Sequence, residues 1–128
     1  MRMLALDAGE ARCGCAVCDP TESVVTPIDA VSRPDTRRGL DTLARLVRDR
    51  EVEQVVVGLP LTLRGEEGEQ ARWTRRFAKR LAEHVDVPIE MHDERLTTRQ
   101  AERTGGTAEA DSRAAAHLLE AFLMGRAG

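Results

Sequence analysis

The chain has 128 residues, of which 41% are hydrophobic and 32% charged, a balance that excludes a disordered chain and fits one domain over residues 1–128. No apolar run is long enough to span a membrane and no signal-peptide pattern opens the chain, so we expect a cytoplasmic protein without membrane contact. The net charge of −3 taken alone argues against a nucleic-acid partner, because phosphate binding usually needs an excess of basic charge, but arginines cluster locally.

The first third of the chain is predicted to form three strands. Residues 3–6 are continuously apolar and end at Asp7, as expected for a central strand buried on both faces. Residues 12–18 are predicted to return as a second strand, and residues 22–31 as a third. Pro27 has no amide hydrogen for a strand ladder, so the third strand should lie at the edge of the sheet. The opening is therefore an antiparallel meander.

The rest of the chain alternates helices with short strands. An amphipathic helix over residues 35–50 leads to a buried strand at 55–57, which implies a right-handed parallel crossover. A second helix follows the 65–68 loop, and residues 88–92 form the fifth strand. A short helix, a break at Gly105 and a last helix complete the order β-β-β-α-β-α-β-α-α, an α/β domain. The predicted inner faces of the three main helices are Leu40, Leu43, Ala44 and Val47; Ala71, Phe77, Ala78, Leu81 and Val85; and Ala115, Leu118, Leu119 and Phe122.

Three acidic residues are predicted to meet at one edge of this sheet. Asp7 and Glu94 both follow parallel strands, whose carboxyl ends form the usual ligand crevice of an α/β sheet. Asp111 has the helical spacing of the buried stripe of the last helix, so it should face inward near the start of that helix. A carboxylate that faces inward needs a partner or a metal ion, because an isolated buried charge is strongly unfavourable.

Each of these residues also has a purely structural interpretation. Asp7 would bond a turn, Glu94 would pair with Arg95, and Asp111 would be a helix N-cap. The joint pattern favours chemistry, because Mg²⁺ and Mn²⁺ prefer oxygen ligands and clustered carboxylates suit two-metal phosphoryl transfer. We call Asp7, Glu94 and Asp111 the carboxylate trio.

Four short motifs occur in order along nearly the whole chain: Asp7-Ala8-Gly9 with Arg12-Cys13-Gly14-Cys15-Ala16-Val17, then Val57-Gly58-Leu59-Pro60-Leu61 with Gly65 and Glu69-Gln70-Ala71, then His92-Asp93-Glu94-Arg95-Leu96-Thr97-Thr98, and Ala110-Asp111-Ser112 with Ala114-Ala115. Together they resemble the YqgF or RuvX family, described as Holliday junction resolvases and pre-16S ribosomal RNA nucleases. The resemblance implies a ribonuclease H-like fold, a five-stranded mixed sheet with helices on both faces. It also implies a catalytic, metal-binding role for the carboxylate trio.

The chain departs from the family pattern in three places. Glu10 stands where a threonine is usual and Thr62 where an asparagine is usual, which puts a phosphate or strand contact by these side chains in doubt. The segment 103–110 is shorter than the basic loop that family members often have. This difference is expected to weaken the grip on substrate or to change the substrate preference.

The predicted activity is hydrolysis of nucleic-acid phosphodiester bonds with Mg²⁺ or Mn²⁺, one ion activating water and a second stabilising the leaving oxygen. Arg12, Arg95 and Arg99 are candidates for binding the phosphate backbone. The resemblance points to maturation of pre-16S ribosomal RNA ends, or alternatively to Holliday junction resolution or other DNA cleavage in recombination and repair. The partner is RNA, branched DNA or single-stranded DNA, cut by an endo- or exonuclease. A resolvase would act as a homodimer, whereas an RNA-trimming enzyme would act as a monomer.

Two other functions are compatible with parts of the sequence. The Asp7-x-Gly9 pattern resembles the phosphate loop of actin-like and sugar-kinase ATPases, but those proteins clasp nucleotide between two large halves and 128 residues supply one. A non-catalytic nucleic-acid-binding module would be indicated by loss of a carboxylate, and all three are present.

The cysteine run at Cys13, Cys15 and Cys18 suggests a zinc or iron–sulfur site. We interpret these residues as strand packing instead, because Cys13 and Cys15 alternate with Val17 on one strand face. A closed tetrahedral site would also need a fourth ligand. The thiols are expected to be reduced.

Overall fold

A computed structural model describes residues 1–94 and 107–127 of the chain. The strands are β1 (Met3–Ala8), β2 (Arg12–Cys18), β3 (Val25–Ser32), β4 (Gln54–Leu59) and β5 (Ile89–Asp93). The helices are α1 (Arg37–Asp49), α2 (Glu69–Ala82) and α3 (Ala108–Ala127). These elements follow the predicted order, and the short helix predicted before Gly105 lies outside the described residues.

The sheet has the strand order β3-β2-β1-β4-β5. The pairs β1–β2 and β2–β3 are antiparallel, whereas β1–β4 and β4–β5 are parallel. This arrangement confirms the opening meander, the parallel crossover through α1 and the edge position of the strand that contains Pro27. Because β1, β4 and β5 run in one direction, their carboxyl ends meet at one edge of the sheet.

Helices cover both faces of the sheet, as predicted. On one face, which we call the α1/α2 face, Leu4, Leu6, Val55 and Val57 pack against Leu40, Leu43, Phe77 and Leu81. On the other, the α3 face, Met3, Ala5 and Val56 pack against Leu118, Leu119 and Phe122. Successive strand residues point to opposite faces, so the continuous apolar run of β1 contributes to both cores.

The cysteines are packing residues, which confirms their interpretation from the strand pattern. Cys13 and Cys15 lie in the core of the α1/α2 face, and Cys18 lies in that of the α3 face. Burial is the main cause that raises the pKa of the Cys13 thiol well above its usual value, so this thiol stays protonated at neutral pH.

Two predicted boundaries are wrong. The third strand was expected to begin at residue 22, but β3 begins at Val25 because Asp19 holds a turn before it. Asp19 Oδ1 accepts hydrogen bonds from the backbone N–H groups of Ser23 and Val24, each 2.8 Å long, and bonds with Thr21 and this backbone lower the pKa of Asp19 to about 2. Val85 lies beyond the end of α2 and packs against the core from the following loop.

The helices do not have the character of membrane spans. Within residues 1–94 and 107–127, no helix combines the length and the apolarity needed to cross a bilayer.

Candidate active site

Asp7 lies on the α3 face, at the end of β1. Met3 and Ala5 pack beneath α3, and the alternation of strand residues continues to Asp7. Only 5% of Asp7 is exposed, and it is paired in the ladder with Gly14 of β2. The sequence prediction of an acidic group at the carboxyl end of the central strand is therefore confirmed in position.

Glu94 follows β5 and is 4% exposed. His92, two residues earlier, packs edge-on against Phe122 of α3 with 5.6 Å between the ring centroids, so this side of β5 belongs to the α3 face. The Glu94 side chain lies across Gly58 of β4: a Cβ built at Gly58 would be 2.8 Å from Cγ and 2.9 Å from Cδ of Glu94. Leu6 is paired with Val57, so the next position brings Asp7 beside Gly58. The two carboxylates therefore flank one glycine.

Gly58→Ala is expected to displace Glu94 while leaving the fold intact, because the atoms in the way belong to a side chain that can rotate. Misplacing a positioned group by about 1 Å reduces activity by about 100-fold, and we expect a loss of that order in nuclease activity. The melting temperature should fall by only a few degrees. Gly125→Ala in α3 is the matched control, because a Cβ there meets nothing within 4 Å. Equal activity of the two variants would contradict the placement of Glu94 in the site.

Asp111 lies in the first turn of α3 and its side chain is 16% exposed. Arg12 Nε donates a hydrogen bond of 2.8 Å to Asp111 Oδ2, so an ion pair joins β2 to α3. The alternative that Asp111 is an N-cap is wrong, because Thr107 Oγ1 accepts the hydrogen bond from the N–H of Ala110, 3.1 Å long. Asp111 instead faces the sheet, as its helical spacing predicts.

The start of α3 rests directly on β2 beside Asp7. A Cβ at Gly14 would overlap the backbone carbonyl of Asp111, so only glycine permits this approach. The next residue, Ser112, is buried, and its Oγ accepts a 3.2 Å hydrogen bond from the N–H of Cys15. The register of β2 with β3 shifts between Cys13 and Cys15, so Ser112 supplies an acceptor where the strand ladder is irregular.

A cavity of about 230 Å³ opens beside these residues. Its lining is Asp7, Gly9, Glu10, Ala11, Arg12 and Asp111. The structure thus brings Asp7, Asp111 and Arg12 to one cavity, with Glu94 on the other side of Asp7, over Gly58. Arg95 and Arg99, the other two predicted backbone-binding residues, lie outside the described residues.

Sequence reasoning did not identify the roles of Gly14, Gly58 and Ser112. All three stood inside the recognised motifs, and a glycine within a buried strand is a signal of close approach by another group. Which group approaches depends on how α3 and β5 cross the sheet, and that crossing is a property of the fold.

The donor set fits a hard divalent cation such as Mg²⁺ or Mn²⁺, since buried Asp7 and Glu94 offer carboxylate oxygens. The carboxylates do not yet surround one common metal position, however. Among residues 1–94 and 107–127, no three His, Cys, Asp or Glu side chains surround a common point as metal ligands. Asp111 Oδ2 is directed to Arg12. Binding of one cation by all three carboxylates would therefore require their side chains to move closer together, and Asp111 could take part through Oδ1 while Oδ2 stays paired with Arg12.

Known proteins resemble this chain in sequence and in fold. A relative from Chloroflexus aurantiacus, called "Putative pre-16S rRNA nuclease", is 45% identical over 79% of this chain and 66% of its own length. A relative of the same name from Anaeromyxobacter sp. (strain Fw109-5) is 40% identical over 98% of each chain. The T. thermophilus RuvC structure in complex with Holliday junction substrate has a TM-score of 0.64 at 13% identity, covering 100% of this chain and 97% of that one.

The fowlpox virus Holliday junction resolvase has a TM-score of 0.53 at 11% identity and covers all of both chains. These likenesses confirm the ribonuclease H-like fold implied by the sequence motifs. The model of the RuvX family, described as Holliday junction resolvase, matches residues 1–125. The chain belongs to the RuvX family.

Proposed function

We propose that this protein is a metal-dependent nuclease that hydrolyses phosphodiester bonds in precursor 16S ribosomal RNA, with the carboxylate trio as its catalytic residues. The observation that carries this proposal is the placement of Asp7 on β1 and Glu94 directly after β5, both almost fully buried and on either side of β4 at the carboxyl ends of the parallel strands. Buried carboxylates on one face repel each other, so the arrangement is typical of a cation-binding site. Relatives carrying the pre-16S rRNA nuclease name support the choice of substrate. This substrate implies action in the cytoplasm.

Asp7, Glu94 and Asp111 would hold one or two Mg²⁺ or Mn²⁺ ions. When bound, such ions supply an activated water nucleophile and stabilise the charge on the leaving oxygen of an in-line displacement. Asp7 stands between the other two carboxylates and is the residue best suited to bridge both ions. Asp7 lies within β1 and Glu94 directly after β5, so the sheet places the backbone of both residues at the site before substrate binds.

Arg12 would offset part of the negative charge of the carboxylates when no metal is present. Its bond to Asp111 keeps that carboxylate near Asp7 despite their like charges. The Arg12 side chain is 39% exposed and lines the cavity, so its guanidinium would be placed to pair with a substrate phosphate. Arg12 would then hold the scissile strand as well as the site, which agrees with its predicted role.

Resolution of Holliday junctions is the second candidate function. The description of the family model and the fold shared with RuvC favour it. A four-way junction presents two equivalent strands, so this function requires two copies of the chain related by a two-fold axis. Trimming of an RNA end requires only one copy.

The decisive experiment incubates the purified chain with end-labelled substrates: a pre-16S ribosomal RNA fragment, single-stranded DNA, duplex DNA and a four-way junction. Each is tested in Mg²⁺, Mn²⁺ and EDTA, and the oligomeric state is measured by light scattering. We expect cleavage of the RNA fragment in both metals and none in EDTA. Cleavage that persists in EDTA contradicts a metal-dependent mechanism. Preferred cutting of the junction by a dimer identifies a resolvase, and binding without cleavage of any substrate identifies a binding module.

A further inference from the structure

Three adjoining cavities lie in a row from Asp7 and Asp111 to the start of α1. The cavity beside Asp7 shares Glu10 and Ala11 with a second cavity of about 430 Å³. The second shares Arg33 and Thr36 with a third of about 480 Å³. We call this surface the arginine groove; it is lined mainly by Glu10, Ala11, Arg33, Asp35, Thr36 and Arg38. The shared residues make it an extension of the candidate active site.

Arg33 is held in the groove in a strained backbone conformation. Its φ of 44° lies in the left-handed region, which is unfavourable for residues other than glycine. Its N–H donates a 2.9 Å hydrogen bond to the carbonyl oxygen of Ala11, beside the candidate site. Its own carbonyl accepts hydrogen bonds from the N–H and Oγ1 of Thr36, of 3.2 and 2.7 Å. Strain that the surroundings maintain in this way is typical of functional positions.

Gly39 of α1 packs closely against the backbone of Arg33 and Pro34. A Cβ at Gly39 of α1 would lie 2.7 Å from Cα of Pro34 and 2.9 Å from the carbonyl carbon of Arg33. Glycine at this position therefore lets the segment before α1 pack closely against the helix. The backbone around Arg33 therefore determines the position of this residue.

The lining of the groove has two arginines and two acidic residues, and the arginines are the groups that can pair with phosphate. The side chains of Arg33 and Arg38 are exposed, and within residues 1–94 and 107–127 neither forms an ion pair with a carboxylate. Arg80 of α2 donates a hydrogen bond to the carbonyl oxygen of Asp35, which brings a further guanidinium to the groove. Glu10 and Asp35 are the acidic groups on its lining. Guanidinium groups with no carboxylate partner are suited to phosphate, which they bind in bidentate fashion.

We propose that the arginine groove binds the backbone of a single nucleic-acid strand next to the scissile phosphate, with Arg33 and Arg38 each pairing with a phosphate. This inference rests on the proposed nuclease function, because it takes the cavity at Asp7 as the place of cleavage. Among the described residues that line the groove, none is aromatic, so this lining offers no surface for base stacking and contacts the backbone without sequence preference. Glu10 lies between Asp7 and Arg33 and opposes this binding by its charge.

The test measures binding separately from cleavage. Fluorescence anisotropy of labelled single-stranded RNA and DNA of one sequence is recorded with the chain in EDTA over a series of salt concentrations. The variants are Arg33→Gly, which relieves the backbone strain, Arg38→Gln and Glu10→Gln. Arg45→Gln is the matched control, since Arg45 is exposed on α1 and lines none of the three cavities. Melting temperatures are measured for every variant.

Replacement of Arg33 or Arg38 is expected to raise the Kd by about five- to tenfold for both nucleic acids. The slope of log Kd against log salt should fall by about 0.7 for each phosphate that the chain no longer binds. Glu10→Gln is expected to lower the Kd, and Arg45→Gln to leave it unchanged. The melting temperature of Arg33→Gly should equal or exceed that of the wild type, so weaker binding is not caused by unfolding.

Two results separate this inference from the proposed function. If the wild type cleaves nucleic acid but Arg33→Gly and Arg38→Gln bind like Arg45→Gln, the groove is not the strand path and the nuclease function stands. If binding depends on both arginines but no metal supports cleavage, the strand path stands and the nuclease function is wrong.

Discussion

Asp7→Asn is expected to reduce metal-dependent cleavage by at least about 100-fold, the order of loss found when one preorganised electrostatic group is removed from an active site. The change keeps the size of the side chain and removes its negative charge. Asp7 is buried and lies between the other two members of the carboxylate trio, so the loss of its charge affects both sides of the candidate site. The loss should appear in kcat more than in KM, because the substrate strand is held elsewhere.

The same variant separates metal binding from folding. Saturating Mg²⁺ or Mn²⁺ should raise the melting temperature of the wild type, because a ligand that binds only the native state stabilises it. Asp7→Asn should fold without metal and show little or none of this rise. Asp49→Asn is the control, since Asp49 is exposed at the end of α1 and lines a cavity at the opposite strand ends. Wild-type cleavage by Asp7→Asn would remove Asp7 from the mechanism and with it the two-metal proposal.

The architecture was predictable because each strand has a strong local signal. The run before Asp7 is apolar at every position, as expected for a strand buried on both faces, and β1 has that environment. Pro27 identifies the edge strand by the hydrogen bond it cannot make. The start of β3 was not predictable in the same way, because the hydrogen bonds of Asp19 shift it and depend on the exact path of the turn.

The positions of the three carboxylates in the fold were predictable, whereas their contacts were not. Helical spacing alone put Asp111 on the inward face of the last helix. Its partner Arg12 is 99 positions away in sequence, and the pairing depends on where α3 begins and how closely it approaches β2. The sequence predicted for Arg12 only that it binds the phosphate backbone, and not that it pairs with Asp111. The ion pair follows from the crossing of α3 over Gly14.

Replacement by alanine is expected to have different consequences at Gly58 and at Gly14, although both glycines lie on the same face of the sheet. At Gly58 the obstacle is the Glu94 side chain, which can rotate away at the expense of the site. At Gly14 it is the backbone of Asp111 and Ser112, which can move only with the whole start of α3. The first substitution should therefore affect mainly activity, and the second should affect folding.

Gly14→Ala is accordingly expected to lower the free energy of unfolding by about 3 kcal/mol, the upper end of the usual range for overpacking a core. Such a loss corresponds to a fall of roughly 10 °C in the melting temperature for a chain of this size. As α3 lifts from β2, Ser112 withdraws from the N–H of Cys15 and Asp111 withdraws from Arg12, so metal binding should weaken with stability. Thermal and urea unfolding of Gly14→Ala beside Gly125→Ala measure this effect. Because a Cβ at Gly125 meets no atom and alanine favours a helix interior by about 1 kcal/mol over glycine, the control should match or exceed the wild type. If Gly14→Ala were as stable as that control, the close contact of α3 with β2 would be wrong, and with it the position of Asp111 beside Asp7.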